Sequence, residues 1–232
     1  TPAQFISANP HFCKSALARY TPADFIGMVE RHRIAYHEKE LGQLFCDVSS
    51  KQIVAMLVDE CQAAGVQIRT QCAVTALERG ADGFRVQTTQ GLFQCASLVV
   101  ATGGLSIPSL GATGFGHDIA RQFGHNVLPL RAGLVPLTLS GTHQERLADL
   151  SGVALPVEAR CNGTAFRNSM LLTHRGVSGP AILQISSYWQ PGDALTLDLL
   201  PGEDALAWLR GMKQARGAAE LRTVLGEVLP KR

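Results

Sequence analysis

Residues 97–116, SLVVATGGLSIPSLGATGFG, constrain this chain more than any other stretch. The run at 97–101 is short and mostly apolar, which suits a strand buried on both faces. Thr102-Gly103-Gly104 breaks it, and such small residues let backbone amides approach another group closely. After a loop holding Pro108 and Gly111, Gly114 and Gly116 lead into a helix predicted over 115–123, with Gly124 as its C′ residue. A strand, a glycine turn and a helix in that order form the place where layered α/β folds bind ligands.

The residues before this stretch have their own periods. From residue 73 the pattern has period two, with strands predicted at 74–78, 84–88 and 92–95 and turns at 80–83 and Gln90-Gly91. That is an antiparallel meander. Further upstream, Thr21-Pro22 opens a helix over 22–33, with Thr as cap and Asp24 in the first turn. Ser49-Ser50 caps a second helix over 50–64, Gly65 ends it, and residues 66–69 read as a strand. This α-to-β step fits an α/β layer.

The composition shifts near residue 129. The segment LPLRAGLVPLTL at 128–139 carries two prolines and few charges, and strands with turns dominate from there to about residue 200. Asn162-Gly163 between two apolar runs, 153–161 and 164–172, is a hairpin signal. Ser178-Gly179-Pro180 starts a helix predicted over 181–188, and 195–200 is a further strand. Residues 203–229 are helical in pattern and carry Arg210, Lys213, Arg216 and Arg222. The expected division is 1–128, 129–200 and 201–232. The fold class is α/β (α+β).

Composition narrows the functional classes. The 232 residues are 46% hydrophobic and 17% charged, ordinary for a globular chain. A net charge of +2 is too small to argue for nucleic acid by electrostatics alone. No apolar run of about 18 residues exists, so no membrane span is expected. The six cysteines are scattered without a CxxC pair, which points to buried thiols in a reducing cytoplasm. His32 and His37 are five apart, not the i, i+4 of two metal ligands on one helical face, so no metal is expected. No GxSxG nucleophile motif occurs, and no titratable pair is placed as a catalytic acid or base. Both ends look cut, and the expectation is an interior piece of a longer polypeptide.

Several words resemble a known family. These are His37-Glu38-Lys39 with Gly42-Gln43-Leu44-Phe45, then ATGGLSIP at 101–108 and GATGFGHDIA at 111–120. LVPL at 134–137 and LLTHRGVSGPAIL at 171–183 follow. Together they resemble the BaiN-type bacterial NAD(P)/FAD-dependent oxidoreductases, conserved flavoproteins that include aminoacetone-oxidase-like members of the glutathione reductase superfamily. The resemblance covers essentially the whole chain. It implies an FAD-binding Rossmann-like domain with the meander, an inserted β-barrel-like domain and a small helical portion. In that family the backbone at Val74 faces the FAD adenine, and the turn at Thr102, Gly103 and Gly104 runs along the cofactor. The cofactor-side candidates are therefore Val74, Ala101, Thr102, Gly103, Gly104, Gly114 and Gly116.

The implied activity is reduction of a small unsaturated or carbonyl-containing substrate by FAD, with NAD(P)H as reductant. One departure stands out: no GxGxxG follows a strand anywhere in the chain, so the pyrophosphate site at a helix N-terminus is missing. This predicts a piece that holds FAD loosely and needs the remainder of its polypeptide, and whose exposed sheet edge leaves it either marginally stable or self-associated. On the substrate side, Ser178 is expected to cap the helix at Pro180, with His174 and Arg175 beside its mouth. The rival is a cofactor-free binding module that contacts RNA through its basic C-terminal helices.

Overall fold

A computed structural model describes residues 2–231 except 3, 4, 8, 40 and 41. It divides into two compact units. The first spans residues 1–104 and 113–123, and the second spans 105–112 and 124–232.

The first unit starts with α1 (Lys14–Arg19) and α2 (Pro22–Arg31). Thr21 begins α2 with a full capping box: its hydroxyl accepts from the Asp24 amide at 3.2 Å, and the Asp24 carboxylate accepts from the Thr21 amide at 2.7 Å. β1 (Tyr36–Glu38) and β2 (Leu44–Cys46) pair as an antiparallel ribbon, too short to show as a period-two pattern in the sequence. α3 (Lys51–Ala63) follows. Val29, Ile34 and Met56 make a small buried cluster between these pieces. The meander is present as β3 (Val74–Gly80), β4 (Gly83–Thr88) and β5 (Gly91–Cys95), with a bulge between Val74 and Ala76. α4 (Phe115–Gln122) closes the unit.

Two predicted strands fail to form ladders. Residues 66–69 and 97–101 pair with no strand among the described residues. Their apolar side chains stand open, with Val66 at 52%, Ile68 at 55% and Val99 at 84% exposure. An apolar run becomes a strand only when another backbone supplies its hydrogen bonds, and period alone does not supply that partner.

The second unit is built on one sheet. Its elements are β6 (Leu137–Thr138), α5 (Thr142–Ala148), β7 (Ala154–Cys161), β8 (Thr164–Thr173), β9 (Gly176–Ser178), α6 (Pro180–Ser186) and β10 (Thr196–Asp198). α7 (Ala205–Ala215) and α8 (Leu221–Leu225) complete it. The strand order is β10-β7-β8-β9-β6, antiparallel throughout, which leaves β10 and β6 as edges and stops short of a closed barrel. Asn162 and Gly163 both have positive φ, 48° and 75°, as a two-residue type I′ turn requires. Alternate residues of β7 point inward, and Leu155, Val157, Ala159 and Cys161 pack against Ala181, Ile182 and Ile185 of α6. α5 falls in a stretch expected to be strand and turn.

Candidate functional site

The glycine turn and α4 are held together in the first unit. Gly116 lies so close to the turn that an added Cβ would sit 2.3 Å from Thr102 Oγ1 and 3.5 Å from Val100 Cγ1. Only a glycine lets the first turn of α4 approach the end of the 97–101 run this closely. At the helix start Gly114 is the N-cap, and the Thr113 hydroxyl accepts from the Phe115 amide at 3.4 Å. At the other end Gln122 Nε2 donates to the Leu77 carbonyl at 2.5 Å, and Phe123 meets Phe84 edge-on at 6.0 Å. α4 therefore ties the turn to the meander.

The open side of the turn is Gly103-Gly104. Both are exposed, and a Cβ added at either would meet nothing within 4 Å. Gly103 takes φ +71°, which turns the backbone sharply after Thr102. This leaves a stretch of backbone that a flat or chain-like ligand can approach directly. The structure thus brings Ala101, Thr102, Gly103, Gly104, Gly114 and Gly116 into one neighbourhood. Val74 opens β3, paired with Thr88 and partly exposed at 38%. It lies three residues from Leu77, about 10 Å along the strand, and Leu77 is the residue of β3 whose carbonyl accepts from Gln122 of α4.

The substrate-side candidates are separated. His174 and Arg175 are the two exposed loop residues between β8 and β9, where Thr173 pairs with Gly176. The length of β9 lies between them and α6, roughly 13 Å at the rise of an extended chain. Ser178 does not cap α6. Its position is paired with Leu171 in the sheet, Gly179 is the N-cap, and no side chain bonds the helix start. The glycines of this word have a packing cause. A Cβ at Gly176 would lie 2.2 Å from the Leu137 carbonyl oxygen, and one at Gly179 would lie 2.8 Å from that of Ser169. GVSG is therefore the inner seam of a sheet.

Several charged groups elsewhere are locally paired. His32 bonds Glu60 and His37 bonds Asp47, both at 2.7 Å. No group of three possible metal ligands exists among the described residues. Asp118 pairs with Arg121 at 2.7 Å. His117 Nδ1 is sealed and without a hydrogen-bond partner among the described residues, and a sealed atom offers a ligand no access. Burial pushes the Cys161 thiol up, with Asp193 adding to it, and the Glu30 bond raises the Tyr36 phenol. Neither group lies at the glycine turn. No helix among the described residues is long and apolar enough to cross a membrane.

Against known proteins, residues 1–186 match the HI0933-like protein Rossmann domain. The chain belongs to the HI0933-like family. Its Rossmann domain is of the FAD-binding flavoprotein kind, and the α/β class follows with it. The ribosomal RNA dihydrouridine synthase of Escherichia coli is 53% identical over 232 residues, covering 100% of this chain and 58% of that protein. The enzyme of the same name from Haemophilus influenzae is 50% identical over 238 residues, covering 100% of this chain and 59% of that protein. A 3-dehydro-bile acid delta(4,6)-reductase of Clostridium scindens is 29% identical over 147 residues, 60% of this chain and 35% of that protein. The flavoprotein family expected from the motifs is thus present. The narrower BaiN-type assignment is not, because the relatives at half identity are named as ribosomal RNA dihydrouridine synthases. The chain spans a little under three fifths of those two relatives' length.

Proposed function

We propose that this chain is part of an FAD-dependent enzyme that reduces a uridine of ribosomal RNA to dihydrouridine. The observation that carries it is the identity of 53% along all 232 residues with a ribosomal RNA dihydrouridine synthase. The chemistry is consistent with the unsaturated substrate expected from the motifs. The C5=C6 bond of uracil gains two electrons and two protons, with NAD(P)H as the class of reductant. FAD, when bound, supplies the hydride chemistry and the protein supplies position.

The residues present fit one wall of such a site. Gly103 and Gly104 leave backbone open for the cofactor to lie against, and Ala101 and Thr102 lead the chain to that point. Gly114 and Gly116 hold the start of α4 against Thr102, which fixes the turn. The backbone at Val74 would meet the adenine end. The pyrophosphate cradle is assigned to polypeptide beyond these residues, as are the strands that would pair 66–69 and 97–101. A ribosomal RNA substrate also assigns the protein to the cytoplasm. No residue of this chain is assigned as proton donor.

The test is direct. A bacterial strain lacking its own ribosomal RNA dihydrouridine synthase is complemented with the full-length gene, and digested ribosomal RNA is analysed by mass spectrometry. Restored dihydrouridine is the expected result. Normal flavin content without dihydrouridine in ribosomal RNA would overturn the RNA substrate and favour a free small molecule, the class of the bile-acid reductase relative.

A further inference from the structure

α7 and α8 enclose an apolar groove of about 260 Å³. Leu209 and Met212 of α7 and Leu221 and Val224 of α8 line it, together with the cationic Lys213 and Arg216. At 3.6 residues per turn, Leu206, Arg210 and Lys213 fall within an arc of about 60° on α7. They form one ridge beside the groove. Leu206 is 57% exposed, and Arg210 and Lys213 are exposed as well.

The charges on this ridge are free to act. α7 itself, ALAWLRGMKQA, contains no acidic residue. Asp204 before it is engaged as N-cap, accepting from the Leu206 and Ala207 amides at 3.0 Å. Arg216 is held by Glu227 at 2.5 Å. No ion pair engages Arg210 or Lys213 among the described residues. Two free cations beside an apolar slot match a partner that is anionic along its backbone and flat and apolar on its units. Drug-sized ligands fill pockets of about 300–1,000 Å³, so a slot of about 260 Å³ suits a single heterocycle better.

We propose that the α7 ridge and the α7–α8 groove form a docking site for single-stranded RNA. Backbone phosphates lie on Arg210 and Lys213, and one unstacked base lies against Leu209, Met212 and Leu221. Single-stranded RNA is recognised through such splayed bases and cations. This rests on the proposal that ribosomal RNA is the substrate, and it locates a contact in the second unit.

The experiment uses the full-length protein and a fluorescently labelled single-stranded oligouridine, with anisotropy recorded across a salt series. Arg210→Ala/Lys213→Ala is compared with the parent and with Arg216→Ala. Loss of two phosphate contacts should lower the slope of log K against log salt by about 1.4, at about 0.7 per contact on single strands. Binding at low salt should weaken about fivefold to tenfold, while Arg216→Ala, already neutralised by Glu227, moves the slope less. An unchanged slope in the double variant overturns the docking site. So does parent protein that ignores oligouridine, or that prefers polyglutamate, which would mark the ridge as a site for an acidic protein. Dihydrouridine in ribosomal RNA, measured separately with excess enzyme, keeps the two proposals apart. Its presence with an unchanged slope removes only the docking site. Its absence with a lowered slope removes only the proposed reaction.

Discussion

In the second unit, a methyl group added at Gly176 would be driven to 2.2 Å from the Leu137 carbonyl oxygen. In the first, one added at Gly103 or Gly104 would meet nothing within 4 Å. The same residue type thus serves two ends. At Gly176 and Gly179 it lets strands β6, β8 and β9 close on one another. At Gly103-Gly104 it clears backbone on a surface. The cores differ in the same direction. Among the described residues, Val157, Ala159, Ala181, Ile182 and Ile185 belong to one large buried cluster in the second unit, whereas the buried cluster of the first is Val29, Ile34 and Met56. A motif rich in glycine therefore marks a ligand wall only where the space beside it is open.

The largest effect expected from this contrast is at Gly176. Its φ of +151° and the neighbouring carbonyl leave no room for a side chain. Gly176→Ala should cost about 3 kcal/mol or more, combining backbone strain with a clash that relaxes only by moving the sheet. Urea denaturation and soluble yield of the full-length protein are the readouts. A variant as stable as the parent would erase the distinction between the packed and the open glycines.

At Gly104 the opposite pattern is expected. Gly104→Ala should leave stability within about 0.5 kcal/mol, because the added methyl touches nothing in the protein. FAD affinity should fall about tenfold, or about 1.4 kcal/mol, as the methyl occupies the cofactor's approach. Titration of the apoprotein followed by flavin fluorescence measures this. Unchanged affinity would reduce the turn to an ordinary loop.

Between these extremes lies Gly116, packed against a side chain and not against backbone. Alanine in a helix interior is favoured over glycine by about 1 kcal/mol, but here the methyl meets Thr102 Oγ1, on a stiff β-branched side chain. Gly116→Ala should destabilise by about 1 kcal/mol alone and become neutral or stabilising in a Thr102→Ala background. Additive effects in thermal melts of the four proteins would deny the contact between α4 and the turn.

How much of this was legible in the sequence follows the range of the interactions. The hairpin at Asn162-Gly163, the capped start of α2 and the meander are local. Turn chemistry, a cap three residues away and period two each write themselves into a short window. The strands at 66–69 and 97–101 were read from composition, yet pairing needs a distant backbone, and they stand unpaired. The ribbon β1–β2 is not legible because three-residue strands show too few alternations. Its signal was the word HEK followed by GQLF, recognised as family wording but not as a hairpin. At the candidate site, the turn and α4 were found because glycines punctuate them. His174 and Ser178 were drawn to the mouth of α6 because they are near it in sequence, and β9 keeps His174 away.

The smallest effect tests whether a local device in the first unit works without a large core behind it. Thr21 and Asp24 cap α2 at the surface, and the Thr21 hydroxyl, then the Thr21 amide, hold the Asp24 carboxyl below its ordinary range. A folded pKa below the unfolded value means stabilisation that is present above the unfolded pKa, about 3.9, and lost as pH falls through the folded one. Asp24 is fully exposed, so water and salt screen the effect and it stays small. Hydrogen exchange of the α2 amides, corrected for intrinsic rates, should show protection that drops below about pH 4 in the parent. Asp24→Asn should show a flatter profile. Equal profiles would mean that packing through Val29, Ile34 and Met56 alone sets the stability of α2, and the first unit would then resemble the second more closely than its open surface suggests.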